Sequence, residues 1–414
     1  MSESEIGDHL SNLPLAQNSR FLISKANNRF FVEVCSDNKT SVPVTPYSNF
    51  KRTNRQSRPK YNSVDVLIIT AADGEQEALL KCRDGKDDQE PWKQKQDNYK
   101  LNYWEHSFTC ENGKSFKVAT ADARKMGEKA TREAAFRLVS QLRPSQCLAM
   151  VGICAGWQEA VNLGDVLVAE QVFKIDSELL RAVYNEQSLP KDVYKNIKPY
   201  DLDFVWSDQV KLYHKRYIND WTDTIKVEKP KSYEYQKYWL LERIYEHQEN
   251  SIKYPDPEKH EDLDKECPKS GQVIEYLKKE GLIEDEITLT LTDKGKKEVK
   301  KSLRRGSRIQ ELRKQEKEES RVVLCPIGTV DKVQENEQIF DDVNKHVRGT
   351  YGIEMEAYAI GETAREYGIK RWIVAKAVSD YADKHRGRNK HFREYACQAS
   401  ASFLIAFLKK YLYV

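Results

Sequence analysis

Several protein classes are excluded by what the sequence does not contain. No apolar run approaches the roughly 20 residues that a membrane-spanning helix needs, and no secretory signal opens the chain at Met1. The eight cysteines, at positions 35, 82, 110, 147, 154, 267, 325 and 397, form no C-x-x-C pair. Such spacing suggests neither a disulfide framework nor a zinc site. Cys147, Cys154 and Cys325 stand in apolar runs, where a thiol is an ordinary small core residue. An excess of one charge is also missing: 68 Lys and Arg against 65 Asp and Glu leave +3, which by itself demands neither nucleic acid nor membrane. The G-x-x-x-x-G-K-[ST] phosphate loop and the G-x-G-x-x-G fingerprint are absent, so neither a P-loop NTPase nor a standard dinucleotide fold is supported. A cytoplasmic protein without metal or cofactor is the expectation.

What remains is globular. The 414 residues are 39% hydrophobic and 32% charged, and this length implies two or three domains. Residues 1–60 are hard to place, although Phe30–Val34 has the composition of a strand. The stretch 40–60, with Pro43, Pro46 and the run K-R-T-N-R-Q-S-R-P-K, reads as a solvated linker. From Val64 the pattern changes. V-D-V-L-I-I-T is continuous enough for a parallel strand covered on both faces, and a short loop leads to a predicted helix over 75–80. Another strand is expected at 115–119. Residues 128–142 have helical spacing, with Ala134, Ala135, Leu138, Val139 and Leu142 on one face. Strands then follow at 146–156 and within 162–170. Apolar strands alternating with amphipathic helices point to an α/β core with a central mixed sheet.

The alternation stops near Asp176 and resumes at R-V-V-L-C-P-I, residues 321–327. An inserted segment over 177–319 accounts for this, since lengthening a surface loop adds little closure entropy. Within it, helices are predicted at 231–247 and 270–281, a strand in I-T-L-T-L-T, and a basic helix from Asp293. Residues 310–319 read as helix or solvated linker. The order over about 231–305 resembles the later half of a winged helix, with Lys294, Lys296, Lys297, Lys300, Lys301, Arg304 and Arg305 as its basic groups. No arginine-bearing recognition helix precedes the wing, so a protein partner, self-association or a lid role ranks ahead of DNA.

Four stretches carry candidate chemistry, the last of them (352–383) with two motifs. T-A-A-D-G-E-Q-E (70–77) places Glu75 where the first core strand meets its helix. V-G-I-C-A-G (151–156) ends another strand with glycines that let backbone approach a ligand. G-T-V-D-K-V (328–333) follows a third. G-I-E-M-E-A (352–357) reads as a helix start bearing Glu354 and Glu356, and A-V-S-D-Y-A-D (377–383) delivers Ser379 and Asp380 at a strand's carboxyl end, where α/β proteins seat ligands. Each has an ordinary explanation alone, such as a first-turn acid facing the helix dipole or an aspartate capping the next helix.

In this order the motifs resemble the nucleoside phosphorylase superfamily, nearest its methylthioadenosine/S-adenosylhomocysteine nucleosidase branch. The resemblance covers the α/β core (61–176 and 320–414), and more loosely the whole chain is similar to bacterial antiphage nucleosidase effectors, some of which attack ATP. It implies a hydrolase that cleaves the N-glycosidic bond of an adenine nucleoside or nucleotide, working as a dimer or hexamer. It implies that Glu75 activates water and that Asp380 protonates the purine at N7. Glu356 would bind the ribose hydroxyls, Met355 would pack under the sugar, Glu354 would support the site, and Ser379 would orient the aspartate. Ile153, Cys154, Ala155 and Gly156 would line the ligand, with Val333 and Gln334 beside the base. Phosphorylases of the superfamily hold phosphate with an arginine and a serine, where this chain has Met150 and Ile153; apolar side chains cannot neutralise a dianion, so water is the expected nucleophile. A phosphorolytic enzyme and a non-catalytic, nucleoside-sensing DNA-binding regulator are the alternatives. Lys376 stands where the family often has arginine. With Lys332 and the run K-H-R-G-R-N-K-H (384–391), including Lys384, Arg386 and Arg388, it could meet substrate phosphates.

Overall fold

The computed structural model describes residues 20–26, 29–35, 63–83, 90–175, 198–216, 219–285, 288–304, 308–317, 319–332, 336, 338–383 and 386–414. Two units divide the chain, Met1–Lys60 and Tyr61–Val414. In the first, β1 (Arg20–Ala26) pairs antiparallel with β2 (Arg29–Cys35), Arg20 facing Cys35. The strand read at 30–34 lies within β2. The basic stretch of 40–60 lies outside the described residues.

The second unit is built on a mixed sheet. Its central strands are β3 (Val66–Thr70), β6 (Ser115–Asp122), β7 (Cys147–Gly156), β8 (Val166–Ile175), β12 (Val322–Val330) and β14 (Arg371–Asp380). β4 (Lys93–Gln96), β5 (Asn102–Thr109), β13 (Gly352–Glu354) and the two-residue β9 (Tyr200–Asp201) extend it. The order is β13-β12-β8-β14-β7-β3-β6-β5-β4, with β9 paired to β8. β3, β6, β7 and β14 are mutually parallel where they pair, and β14 runs antiparallel to β8. Alternate residues of one strand feed opposite cores, as expected for a sheet buried on both faces. Val66 and Ile68 pack on one side, Leu67 and Ile69 on the other.

Helices cover both faces. α1 (Glu75–Leu80) and α12 (Phe392–Tyr411) lie against one, α2 (Glu128–Leu142) and α11 (Ala357–Glu366) against the other. α10 (Ile339–Asn344) closes a small cluster with Phe173 and Ile353. Two findings correct the sequence expectations. The sequence pattern places the segment from 177 wholly in the insertion, but α3 (Phe204–Arg216) buries Trp206, Val210 and Tyr213 in the sheet's own core. Trp206 meets Phe407 edge-on at 5.4 Å, and α4 (Asn219–Thr222) adds Trp221 beside Phe403. Aromatic burial on this scale binds the segment to the core. The second concerns 352–356, expected to open a helix. Gly352–Glu354 is instead β13, and α11 starts only at Ala357.

The remaining elements form a module with its own apolar centre. α5 (Tyr233–Glu249) and the short α6 (Leu263–Glu266) lead to α7 (Ser270–Lys279). β10 (Ile283–Asp285) and β11 (Leu289–Leu291) pair antiparallel, and α8 (Asp293–Arg304) and α9 (Arg308–Lys317) follow. Trp239, Leu240, Val273, Leu277, Leu291 and Val299 meet in a cluster separate from those of the sheet.

Candidate active site

The site forms where the carboxyl ends of several strands converge, and β13 decides that geometry. This three-residue strand pairs parallel with β12, Gly328 facing Ile353, and antiparallel with the last residues of β7, Ile353 facing Ala155. It therefore closes β7, β14, β8 and β12 into a ring and carries Glu354 and Glu356 to the ends of β7 and β14. Close approach is needed here. A Cβ on Gly352 would fall 2.8 Å from the Leu167 side chain.

Glu75 opens α1 but faces inward, 1% exposed. Its Oε2 accepts from the N–H groups of Ala71 (2.9 Å) and Ala72 (3.0 Å), and its Oε1 accepts from the N–H of Ile153 (2.9 Å). The glycine of V-G-I-C-A-G is what admits the carboxylate. A Cβ on Gly152 would lie 2.2 Å from Glu75 Oε1, which no side chain tolerates. Burial pushes the Glu75 carboxyl above its ordinary range; Lys376 pulls it back, Glu356 pushes it further up, and the backbone N–H groups favour ionisation.

Glu354 is spent on structure. Its oxygens accept from Thr329 Oγ1 (2.7 Å) and from the N–H groups of Glu356 and Ala357 (both 2.9 Å), which satisfies the start of α11. Burial pushes it up to about 7. Glu356 is turned elsewhere. Its Oε1 accepts from the N–H of Gly127 (2.8 Å), at the start of α2, and its Oε2 lies 3.3 Å from Lys376 Nζ. Lys376 itself is fully buried, 3.4 Å from Glu354 Oε2 as well. Burial works against its charge, but Glu75, Glu356 and Glu354 outweigh it and hold the ammonium above the usual lysine range.

Asp380 ends β14, and a bulge aims it. Val378 faces Cys154 across the β14–β7 ladder and Asp380 faces Ala155, so Ser379 is the extra residue. A bulge breaks the alternation of side chains and re-aims one of them. Here Ser379 and Asp380 reach each other: Ser379 Oγ donates to Asp380 Oδ2 (3.0 Å) and lies 3.3 Å from the Cys154 carbonyl. Asp380 Oδ1 accepts from the N–H of Ala382 (3.1 Å).

A cavity of about 190 Å³ joins these groups. Glu75, Ile153, Cys154, Ala155, Glu354, Met355, Glu356, Ser379 and Asp380 line it, nine of the positions named from the sequence. Gly156 does not; it packs on the core, where a Cβ would meet Val378 and Val161 at 2.6 and 2.7 Å. Lys376 does not either. It lies beneath the carboxylates, closed to any substrate phosphate. Val333 and Gln334 are outside the described residues, as is Lys384, and nothing is described of the Arg386 side chain. Lys332 is exposed. Arg388 points away from the cavity. It sits between the Tyr233 and Tyr276 rings, 4.7 and 4.9 Å from their centroids, with Glu280 at 2.7 Å. It ties the inserted module to the core.

Asn389 and Lys390, inside the basic run 384–391 named from the sequence, also line the cavity, and sequence reasoning missed Ala72, Met126, Val330, Ile353, Ala382 and Arg393, which complete the wall. Val330, Ile353 and Ala382 are apolar residues beside recognised motifs and carried no chemical signal. Arg393 lies in the first turn of α12, and its buried Nε has no partner among the described residues. Its signal was there, two residues past the basic run, in a helix that periodicity did not reveal.

No family model and no curated protein matches the chain. Solved structures do. A putative 5′-methylthioadenosine/S-adenosylhomocysteine nucleosidase from Francisella philomiragia ATCC 25017 is 14% identical, with a TM-score of 0.46 over 83% of this chain and 97% of that one. The S-adenosylhomocysteine nucleosidase of Streptococcus pyogenes, in complex with 5-methylthiotubericidin, is 16% identical, TM-score 0.45, over 84% and 97%. The futalosine hydrolase of Helicobacter pylori strain 26695 is 11% identical, TM-score 0.43, over 83% and 96%. The chain is thus similar in outline to these proteins, and the activities in their names are their own.

Proposed function

We propose that the chain is a purine nucleosidase, hydrolysing the N-glycosidic bond of an adenine nucleoside or nucleotide. The observation that carries this reading is one cavity holding Glu75 on three backbone N–H groups, Glu356 beside it and Asp380 at the bulged end of β14.

Each group has a place in the reaction. Glu75, ionised, takes a proton from water as the water oxygen bonds to the sugar C1′. The C1′–N9 bond breaks with its electron pair going to the base, and Asp380 gives a proton to N7. Glu356 holds the ribose hydroxyls. Three carboxylates around a single lysine leave the site negative, which favours the positive charge that builds on the sugar. A raised carboxyl is the stronger base, while Lys376 keeps Glu75 ionised. The same negative field opposes a phosphate dianion as the nucleophile. Met150 is buried in the core, and Ile153 offers only an N–H already donated to Glu75.

For a nucleotide, the cations at hand are Lys390 and Arg393, which line the cavity, in place of Arg388. Substituting them should weaken turnover of AMP and ATP more than of adenosine. The primary test is chromatography of adenosine, methylthioadenosine, AMP and ATP after incubation with the protein, with and without phosphate. Free adenine and free sugar without phosphate are expected. A strict phosphate requirement with sugar 1-phosphate as product would replace hydrolysis by phosphorolysis, and no base from any substrate would end the enzymatic reading.

A further inference from the structure

The inserted module carries a charged surface that the proposed reaction does not use. α8 runs D-K-G-K-K-E-V-K-K-S-L-R. Its inward face is set by Gly295, Val299 and Ser302, all buried. Gly295 fixes that choice sterically, because a Cβ there would lie 2.1 Å from the Leu282 carbonyl oxygen. The helix can rest on α5 and β11 in one orientation only, and that orientation turns Lys296, Lys297, Lys300, Lys301 and Arg304 to solvent.

These five are not the mixed-sign surface of an ordinary solvated helix. None of them has an ion pair or hydrogen bond among the described residues. Of the two acids on α8, Asp293 stands at the first position, and Glu298 accepts from Tyr238 Oη at 2.5 Å on the module's own side. Like charges three and four residues apart repel and weaken the helix, so the row is held at a cost to the module. Lys294 is not part of it; its ammonium donates to the Glu280 carbonyl at 2.7 Å.

We propose that this face of α8 is a docking surface for duplex DNA, contacting the phosphate backbone. Charge complementarity points to a polyanion, and three features select this one. The row spans about 12 Å along a rigid helix at 1.5 Å per residue, which suits a stiff and regular line of phosphates. α8 carries no aromatic residue, whereas single-stranded nucleic acid is held by stacking on aromatic rings. An amphipathic helix on a membrane buries a broad apolar face in lipid, but Val299 of α8 is covered by the module and Leu303 alone of its apolar side chains is exposed. Contacts of this kind bind without reading sequence.

The test uses the full chain and a fluorescein-labelled DNA duplex of mixed sequence, followed by anisotropy between about 50 and 200 mM salt. Five phosphate contacts predict a slope of log K against log salt of about −4.5. The variant Lys297→Gln/Lys300→Gln/Lys301→Gln should lose about three units of that slope and at least tenfold in affinity near 100 mM salt, while its circular dichroism spectrum and adenine release stay unchanged. Any of four results would overturn the proposal: no binding at the lowest salt, an unaltered slope in the variant, tighter binding of the matching single strand, or tighter binding of phosphatidylserine vesicles.

Discussion

The floor of the cavity and the outer face of α8 handle charge in opposite ways. At the cavity, three carboxylates and one ammonium are removed from water, and each is met by backbone N–H groups, a hydroxyl or its counter-ion. On α8, five cations stand in solvent with no counter-ion among the described residues. A buried charge exists only because its surroundings were built for it, so its environment defines its role and fixes its protonation. An exposed one costs little to hold, and its meaning rests on what arrives. The comparison teaches that charge content, high throughout this chain, says little until burial divides it.

The largest effect expected is at Glu75. Glu75→Gln keeps the shape but cannot take a proton, and kcat should fall by about 10²–10⁴-fold with the fold retained, as read by adenine release beside circular dichroism. Lys376→Met should be the most destabilising change, by about 3–5 kcal/mol in denaturant titration, because three carboxylates lose the cation they share. The same variant sharpens the pH argument. Glu75 acts as the carboxylate, so activity falls as pH drops through its pKa, which burial has raised; the acid limb of log kcat/KM against pH should therefore lie above the ordinary glutamate range. Removing Lys376 removes the influence that lowers it, so the limb should move to higher pH. An acid limb that stays in place in the variant would break the link between Lys376 and the base.

Gly152→Ala tests how closely the site is built. The added Cβ collides with Glu75 Oε1, and a loss of about 1–3 kcal/mol with a large fall in kcat is expected; full activity would mean the carboxylate is free to move. Arg388→Ala probes the contact between the two regions, since Asn389, Lys390 and Arg393, just beyond it, line the cavity. Loss of the Glu280 pair and both ring contacts should cost about 2 kcal/mol, raise KM more than it lowers kcat, and make the module easier to cleave by protease. Smallest is the triple substitution on α8, which should shift stability by no more than about 0.5 kcal/mol.

The core was legible where burial imposed a period. β3, β6, β7, β8, β14, α1 and α2 were readable from apolar runs and from the one-sided spacing of Ala134, Leu138 and Leu142. α12 was not, because fifteen of its residues are buried and a helix covered on nearly all sides has no polar face to mark its turn. The start of α11 was misplaced by the acids of G-I-E-M-E-A, which look like first-turn residues. Glu354 does satisfy that helix's N–H groups, but it does so from the preceding strand.

By itself the sequence determined which residues carry chemistry, since side-chain identity and motif order are written there: the glutamates and aspartate of the three motifs, and the cations of α8. Tertiary structure alone decided what each charge faces. It placed Glu75 in line with Ile153, 78 residues away, sank Lys376 beneath the cavity, turned Arg388 to the inserted module and left α8 bare. The reason is physical. Pattern along a chain reports burial of an element as a whole, whereas the partner of a single charge is chosen by strand register, by a bulge such as that at Ser379, and by glycines at which two segments touch.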